Sequence, residues 1–214
     1  MKGFIALTSW WSFRARHASS STCWTASPAL CQIMSSKSPA YFGYTGLIEP
    51  DGVGRIAAAL NSAVNSGVGE VHLSFSSNGG YVADGVYLHN HIRALPMRLV
   101  IYNTGSVSSI AVAVFLAASE RWCSSHAMFM IHPTTMGSSE GMSARRLQST
   151  LDAALADDDR TDNILREYAT IPADVLAARR YSEVHISPSK AVEWRLVDGV
   201  REFSLPKGQQ IVQI

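Results

Sequence analysis

From Tyr41 to His132, short apolar runs and helical patterns alternate strictly, an order that few architectures accept. Tyr41–Gly46 is a strand candidate ending in glycine. Pro50 then sits where a helix opens, and Ile56, Leu60 and Val64 recur at helical spacing until Gly67 and Gly69 stop it. Val71–Phe75 alternates Val, Leu and Phe with His and Ser, and Ser76-Ser77-Asn78-Gly79-Gly80 breaks it sharply. A second helix is expected over Val82–Leu95, ending before Pro96. Arg98–Tyr102 reads as a strand, Thr104-Gly105 as a turn, and Ser109–Ala118 as an Ala-rich helix. Trp122-Cys123 and Met128–His132 are further strand candidates. Strand and helix in alternation imply parallel βα units. The helix from Ser109 is apolar nearly all round and therefore belongs in the core.

After His132 the pattern changes. The Gly- and Ser-rich stretch 134–141 leads into a long polar helix over Ser143–Tyr168, whose apolar stripe is thin: Leu147, Leu151, Leu155, then Ile164 and Tyr168. Asp157-Asp158-Asp159 interrupts that stripe. Such a helix is expected to project from the body and to pack on another subunit. Further helices are expected near Pro172 and over Pro188–Trp194, with short strands around Gly199 and Ile211. No internal repeat is present. The basic pairs Arg145-Arg146 and Arg179-Arg180 read as solvated helix faces, and His89 and His91, two apart on a helix, as surface residues on different sides.

Composition narrows the function class. The 214 residues carry a formal net charge of +1, which supplies no field for nucleic acid or an anionic membrane. No apolar run approaches the roughly 18 to 20 residues that span a bilayer. Cys23, Cys31 and Cys123 make an odd count, which argues against a disulfide framework and fits a reducing cytosol. No Cys/His group has metal-ligand spacing, and no Gly-x-x-x-x-Gly-Lys phosphate loop occurs. No metal or organic cofactor is expected.

The first 40 residues read differently. No Asp or Glu precedes Glu49, Ser is abundant, and Lys2, Arg14, Arg16 and Lys37 are basic. The segment reads as an unstructured leader, with the protein proper starting at Met34, or as a transit peptide that would direct the chain to an organelle. Residues 41–214 form the expected domain, with the projecting segment at about 134–168.

Three features make chemical sense together. Asn78-Gly79-Gly80 follows a buried strand, where two glycines let a backbone N–H aim into a pocket as an oxyanion hole requires. A lone Gly pair is more often a plain turn. Gly105-Ser106-Val107-Ser108-Ser109-Ile110-Ala111 joins a strand to the apolar helix. A serine there is commonly a cap, yet the same position sets its hydroxyl beside free N–H groups at the positive end of a helix. Met130-Ile131-His132-Pro133 ends an apolar strand with a histidine, which alone reads as scaffolding.

In this order the three features resemble the proteolytic subunit of the Clp protease, over about Phe42–Val200. The stretch Ala191-Val192-Glu193-Trp194-Arg195-Leu196-Val197-Asp198 is similar to the family's sequence before its last strand. The resemblance implies an α/β fold of the Clp protease and crotonase type, a spiral of βα units with a projecting handle helix. It implies Ser109 as nucleophile, His132 as base, and the N–H groups of Gly80 and Ile110 as oxyanion hole. Counting back without gaps from Leu196-Val197-Asp198 puts the family's triad aspartate at Glu183. His185 and Asp198 are other possible third members. The implied activity is that of a serine endopeptidase acting on unfolded polypeptides, as a cytoplasmic, stacked homo-oligomeric ring served by a separate AAA+ unfoldase.

The chain also departs from the family. Asn78 stands where the family has proline, Val107-Ser108 where it has a small pair, Pro133 where it has Gln-Pro, and Glu183 where it has aspartate. Two other readings stay open. One is a different enzyme of this fold, a signal-peptide peptidase with a Ser–Lys dyad or an acyl-CoA hydratase. Only Lys190 and Lys207 follow Tyr41, which disfavours the dyad. The other is a ring subunit without catalysis.

Overall fold

The computed structural model describes residues 38–137 and 140–214. The expectations for the leader, for Met34 as the start and for Cys23 and Cys31 lie outside the described residues.

The elements follow in the order β1 (Ala40–Thr45), α1 (Pro50–Asn65), β2 (Glu70–Ser77), α2 (Val82–Ala94), β3 (Arg98–Ser108), α3 (Ile110–Leu116), β4 (Glu120–Cys123) and β5 (Met128–Ile131). Then come α4 (Ala144–Tyr168), α5 (Ala173–Ala178), β6 (Val184–Ile186), α6 (Pro188–Glu193), β7 (Gly199–Val200) and β8 (Ile211–Gln213). The sheet runs β6-β5-β3-β2-β1-β8, with β4 pairing β3 and β7. Every pairing is parallel except β5 with β6. The βα alternation read from the sequence therefore gives a parallel sheet, the α/β spiral that was expected. Strand β6 had no counterpart in the sequence pattern.

Strand β3 is where the spiral is made. Its first half pairs with β4 (Val100–Asn103) and its second half with β5 (Ser106–Ser108) along the same edge. Thr104-Gly105, read as a turn, instead lies inside this long strand. Between Phe75 and Ser77 of β2 the register on β3 advances from Asn103 to Val107, so two extra β3 residues bulge there. Asn103, fully buried, spans the fork. Its side chain donates to Met128 O (3.0 Å) and accepts from Gly105 N–H (3.1 Å), while its carbonyl accepts from Ser124 N–H. A polar side chain thus satisfies the backbone groups that the fork leaves unpaired.

Helix α3 is buried along all seven residues, as its apolar composition requires. It packs on α2, α4, β3 and β5 within one core that includes Leu88, Ile92, Phe129 and Leu165, and Phe115 meets Phe129 edge-on. His89, expected on the surface, is 3% exposed and donates from Nδ1 to Ala113 O at 2.7 Å. It faces Tyr168 edge-on. The correction has a simple cause: α2 is covered by α3 on the side that carries His89. His91, two residues on, meets Asn61 near the surface.

Helix α4 opens at Ser143, whose hydroxyl accepts from Arg146 N–H. Its 25 residues span about 38 Å. Its C-terminal half is anchored, with Leu165 buried and Ile164 and Tyr168 packed on the core. Toward its N-terminus Leu147, Leu151 and Leu155 remain 51%, 52% and 47% exposed. Asp158, read as an interruption of the stripe, points inward instead and is buried.

Candidate active site

Strand β3 delivers Ser109, and the backbone there is unusual. Ser109 has φ 60° and ψ −134°, in the region that side-chain-bearing residues avoid. Only two non-glycine residues among those described have a positive φ. Backbone strain of this kind costs on the order of 1–3 kcal/mol and persists where its surroundings over-determine it. Here the surroundings are explicit. Ser109 N–H donates to Met130 O at 2.7 Å, and Ser109 O accepts from Val112 N–H, which opens α3. The bend turns the side chain out of the sheet into a cleft while the following helix dives into the core. Ser108 is buried, with its hydroxyl bonded to that of Ser106.

The cleft is lined by Gly80, Ser109, Ile110, His132, Thr134 and Arg179, among others. Gly80 lines it, and Gly79 packs against the backbone of Ser108 and Ser109, because neither carries a side chain. A Cβ on Gly79 would lie 2.6 Å from the Cβ of Ser109 and 2.9 Å from Ser108 O, at a φ of +95°. A Cβ on Gly80 would meet the backbone of Ile48, which brackets it: Ile48 N–H donates to Gly79 O and Tyr81 N–H to Ile48 O, both at 2.8 Å. In that parallel bridge the N–H of Gly80 itself faces away from Ile48. The N–H of Ile110, in the first turn of α3, is free of intrahelical partners.

His132 follows β5 directly and is half-buried in the same cleft. No hydrogen bond joins its imidazole to Ser109 Oγ among the described residues. Glu183 stands one residue before β6. The β5–β6 pairing ends at Ile131 with Val184, so continuing the register by one sets Glu183 across from His132. Its carboxylate, however, is 63% exposed and lies 3.6 Å from His185 Nε2. The structure thus gathers Ser109, His132, Gly80 and Ile110 and leaves the Glu183 carboxylate turned away. His185 belongs to that surface pair. Asp198 accepts from Arg121 N–H at a turn, a structural contact.

Cys123 offers no competing nucleophile. It is buried, and burial, with a smaller push from Glu202, raises its thiol to about 11.

Sequence reasoning missed the floor of the cleft. Arg179, read as a solvated residue, is 1% exposed. Its Nε donates to Asp162 Oδ1 at 2.6 Å, Nη1 to the carbonyl of His132 at 2.6 Å, and Nη2 to the carbonyl of Asp158 at 3.1 Å. Arg180, the other half of the pair, reaches back to Asp159 and Asp162. The correction follows from topology: the turn that ends α5 returns to α4, so the arginines that looked solvated face the aspartates of that helix. The only local signal was the run of aspartates, with no partner visible at short range.

Comparison with known proteins gives the family. Residues 54–203, well over half the chain, match the Clp protease family. The chain belongs to the Clp protease family. A point mutant of ClpP1 from Listeria monocytogenes superposes with a TM-score of 0.67 and 16% sequence identity, over 76% of this chain and 91% of that one. At that identity the likeness speaks for the fold alone. A search of curated proteins gave no match.

Proposed function

We propose that this Clp protease family chain is a serine endopeptidase subunit that cleaves unfolded polypeptides through an acyl-enzyme. The observation that carries the reading is Ser109: a positive-φ serine between a parallel strand and a buried helix, in one cleft with His132 and two oxyanion-hole candidates. In the proposed cycle His132 takes the proton of Ser109 Oγ as that oxygen attacks the scissile carbonyl carbon. The N–H groups of Gly80 and Ile110 hold the developing oxyanion. His132 then passes the proton to the leaving amine, activates a water against the acyl-enzyme, and the second product departs. Glu183 is the proposed orienting carboxylate, which requires its side chain to leave His185 for His132.

The exposed leucines of α4 support assembly through this helix, as a cytoplasmic homo-oligomeric ring stacked on a second, fed by a separate AAA+ unfoldase. The outward carboxylate of Glu183 favours a second reading, a ring subunit without catalysis. A fluorophosphonate serine probe separates the two. Covalent labelling of the full chain that is lost in Ser109→Ala supports the peptidase, and absence of labelling in an assembled ring supports the scaffold.

A further inference from the structure

The buried arginine under the cleft has a geometry that simple glue between two helices does not need. Arg179 carries five N–H donors in a rigid fork. Those donors go to Asp162 Oδ1 (2.6 Å), Asp158 O (3.1 Å), Asp158 Oδ1 (3.4 Å) and His132 O (2.6 Å). Asp158 Oδ1 also accepts from Thr134 N–H at 2.7 Å. The two residues flanking Pro133 are therefore held from one point, His132 by its carbonyl and Thr134 by its N–H. Proline at 133 has no N–H to offer, so these two groups are the handholds nearest to it. The anchor of Arg179 is itself fixed. Asp162 is fully buried, and its second oxygen accepts from Arg180 Nη2 and Nε at 2.7 and 3.0 Å.

We propose that Arg179 is a positioning residue for His132, locking the backbone that carries the imidazole and coupling its placement to the seating of the handle helix α4. The inference rests on the serine-peptidase reading above and deepens it. Arg179 lines the cleft, yet its side chain is buried and four of its five N–H groups point at protein acceptors, so it acts through His132 and not on substrate. The β5 end of the site is then held twice: before His132 by Ser109 N–H on Met130 O, and after it by Arg179 and Asp158. A shift of α4 would move Asp158 and Asp162, and with them the one clamp that the second half of this grip depends on.

The test compares full-length wild type, R179K and D158A in peptide hydrolysis and in the rate of fluorophosphonate labelling. Lysine keeps a cation beside Asp162 but, as a single ammonium on a flexible stem, it does not reproduce the fork across Asp162, Asp158 and His132. R179K is expected to lose roughly 100-fold in kcat, the scale of about 1 Å of misplacement, with KM within about twofold of wild type. Labelling of Ser109 should slow in parallel. D158A leaves the Arg179–Asp162 pair and removes the acceptor for Thr134 N–H, so it should show the same split, on the order of tenfold. It serves as the deciding variant where R179K does not fold. Wild-type kcat and labelling in a folded R179K, or in D158A where R179K does not fold, overturns the positioning role and leaves the peptidase reading intact. A change confined to KM or to melting temperature also overturns it. A wild-type chain that neither cleaves nor labels overturns both.

Discussion

The backbone N–H of Ser109 donates to the carbonyl of Met130 at 2.7 Å, which ties the proposed nucleophile to β5 two residues before the proposed base, His132. One hydrogen bond thus sets the spacing between β3 and β5 at the point where chemistry is expected. Because it uses the backbone, it survives replacement of either side chain.

That independence makes the nucleophile testable. Ser109→Ala is expected to fold like the wild type and to lose peptide cleavage by several orders of magnitude, the scale of removing a catalytic serine. Ser108→Ala should keep measurable turnover, since Ser108 is buried and bonded to Ser106. Circular dichroism with a peptide assay decides it, and an essential Ser108 beside a dispensable Ser109 would move the assignment by one residue.

Gly79→Ala places a methyl 2.6 Å from Ser109 Cβ at a φ of +95°. The backbone conformation alone is expected to cost roughly 1–3 kcal/mol. The collision should displace Ser109 as well, so activity should fall further than stability in a paired denaturation and turnover measurement. A variant with full activity would show that the cleft tolerates a side chain there.

Glu183→Gln addresses the third member. In a working triad the orienting carboxylate is worth on the order of 10⁴-fold in kcat, and the amide should lose that factor. An unchanged kcat would mean that the Glu183 carboxylate stays outside the cleft, as it does in the structure.

The handle leucines predict assembly. Wild type should scatter light as a ring of many subunits at micromolar concentration, and Leu151→Glu, which charges the centre of the exposed stripe, should shift it to smaller species. A stable, active wild-type monomer would contradict the ring.

His89 predicts a pH dependence. Burial pushes its imidazole below the ordinary value near 6.5, and the bond to Ala113 O only partly opposes this. The unfolded chain therefore binds the His89 proton at a higher pH than the folded chain. Stability should be full above about 6.5 and fall as pH drops below it, toward the depressed folded value. Melting temperature measured from pH 8 to 5 should decline less steeply in His89→Phe than in wild type. Parallel slopes would assign the acid sensitivity to other groups.

What the sequence by itself determined was local and periodic. The alternation from Tyr41 to His132 specified parallel βα units, because period and length are properties of a single segment. The uninterrupted apolar character of Ile110–Leu116 specified a central helix, and the Gly-Gly, Ser and His motifs marked the ends of elements, whose meeting in one cleft is a tertiary fact. Tertiary structure alone decided the rest. Thr104-Gly105 reads as a turn until Asn103 is seen bridging β4 and β5, whose pairing with β3 is non-local. His89 and Arg179 read as surface residues because burial depends on what covers them, here α3 and the aspartates of α4. The outward Glu183 shows the same limit from the other side. The β5–β6 register sets its backbone across from His132, but a side chain's direction depends on its folded surroundings, and there the carboxylate lies in solvent beside His185.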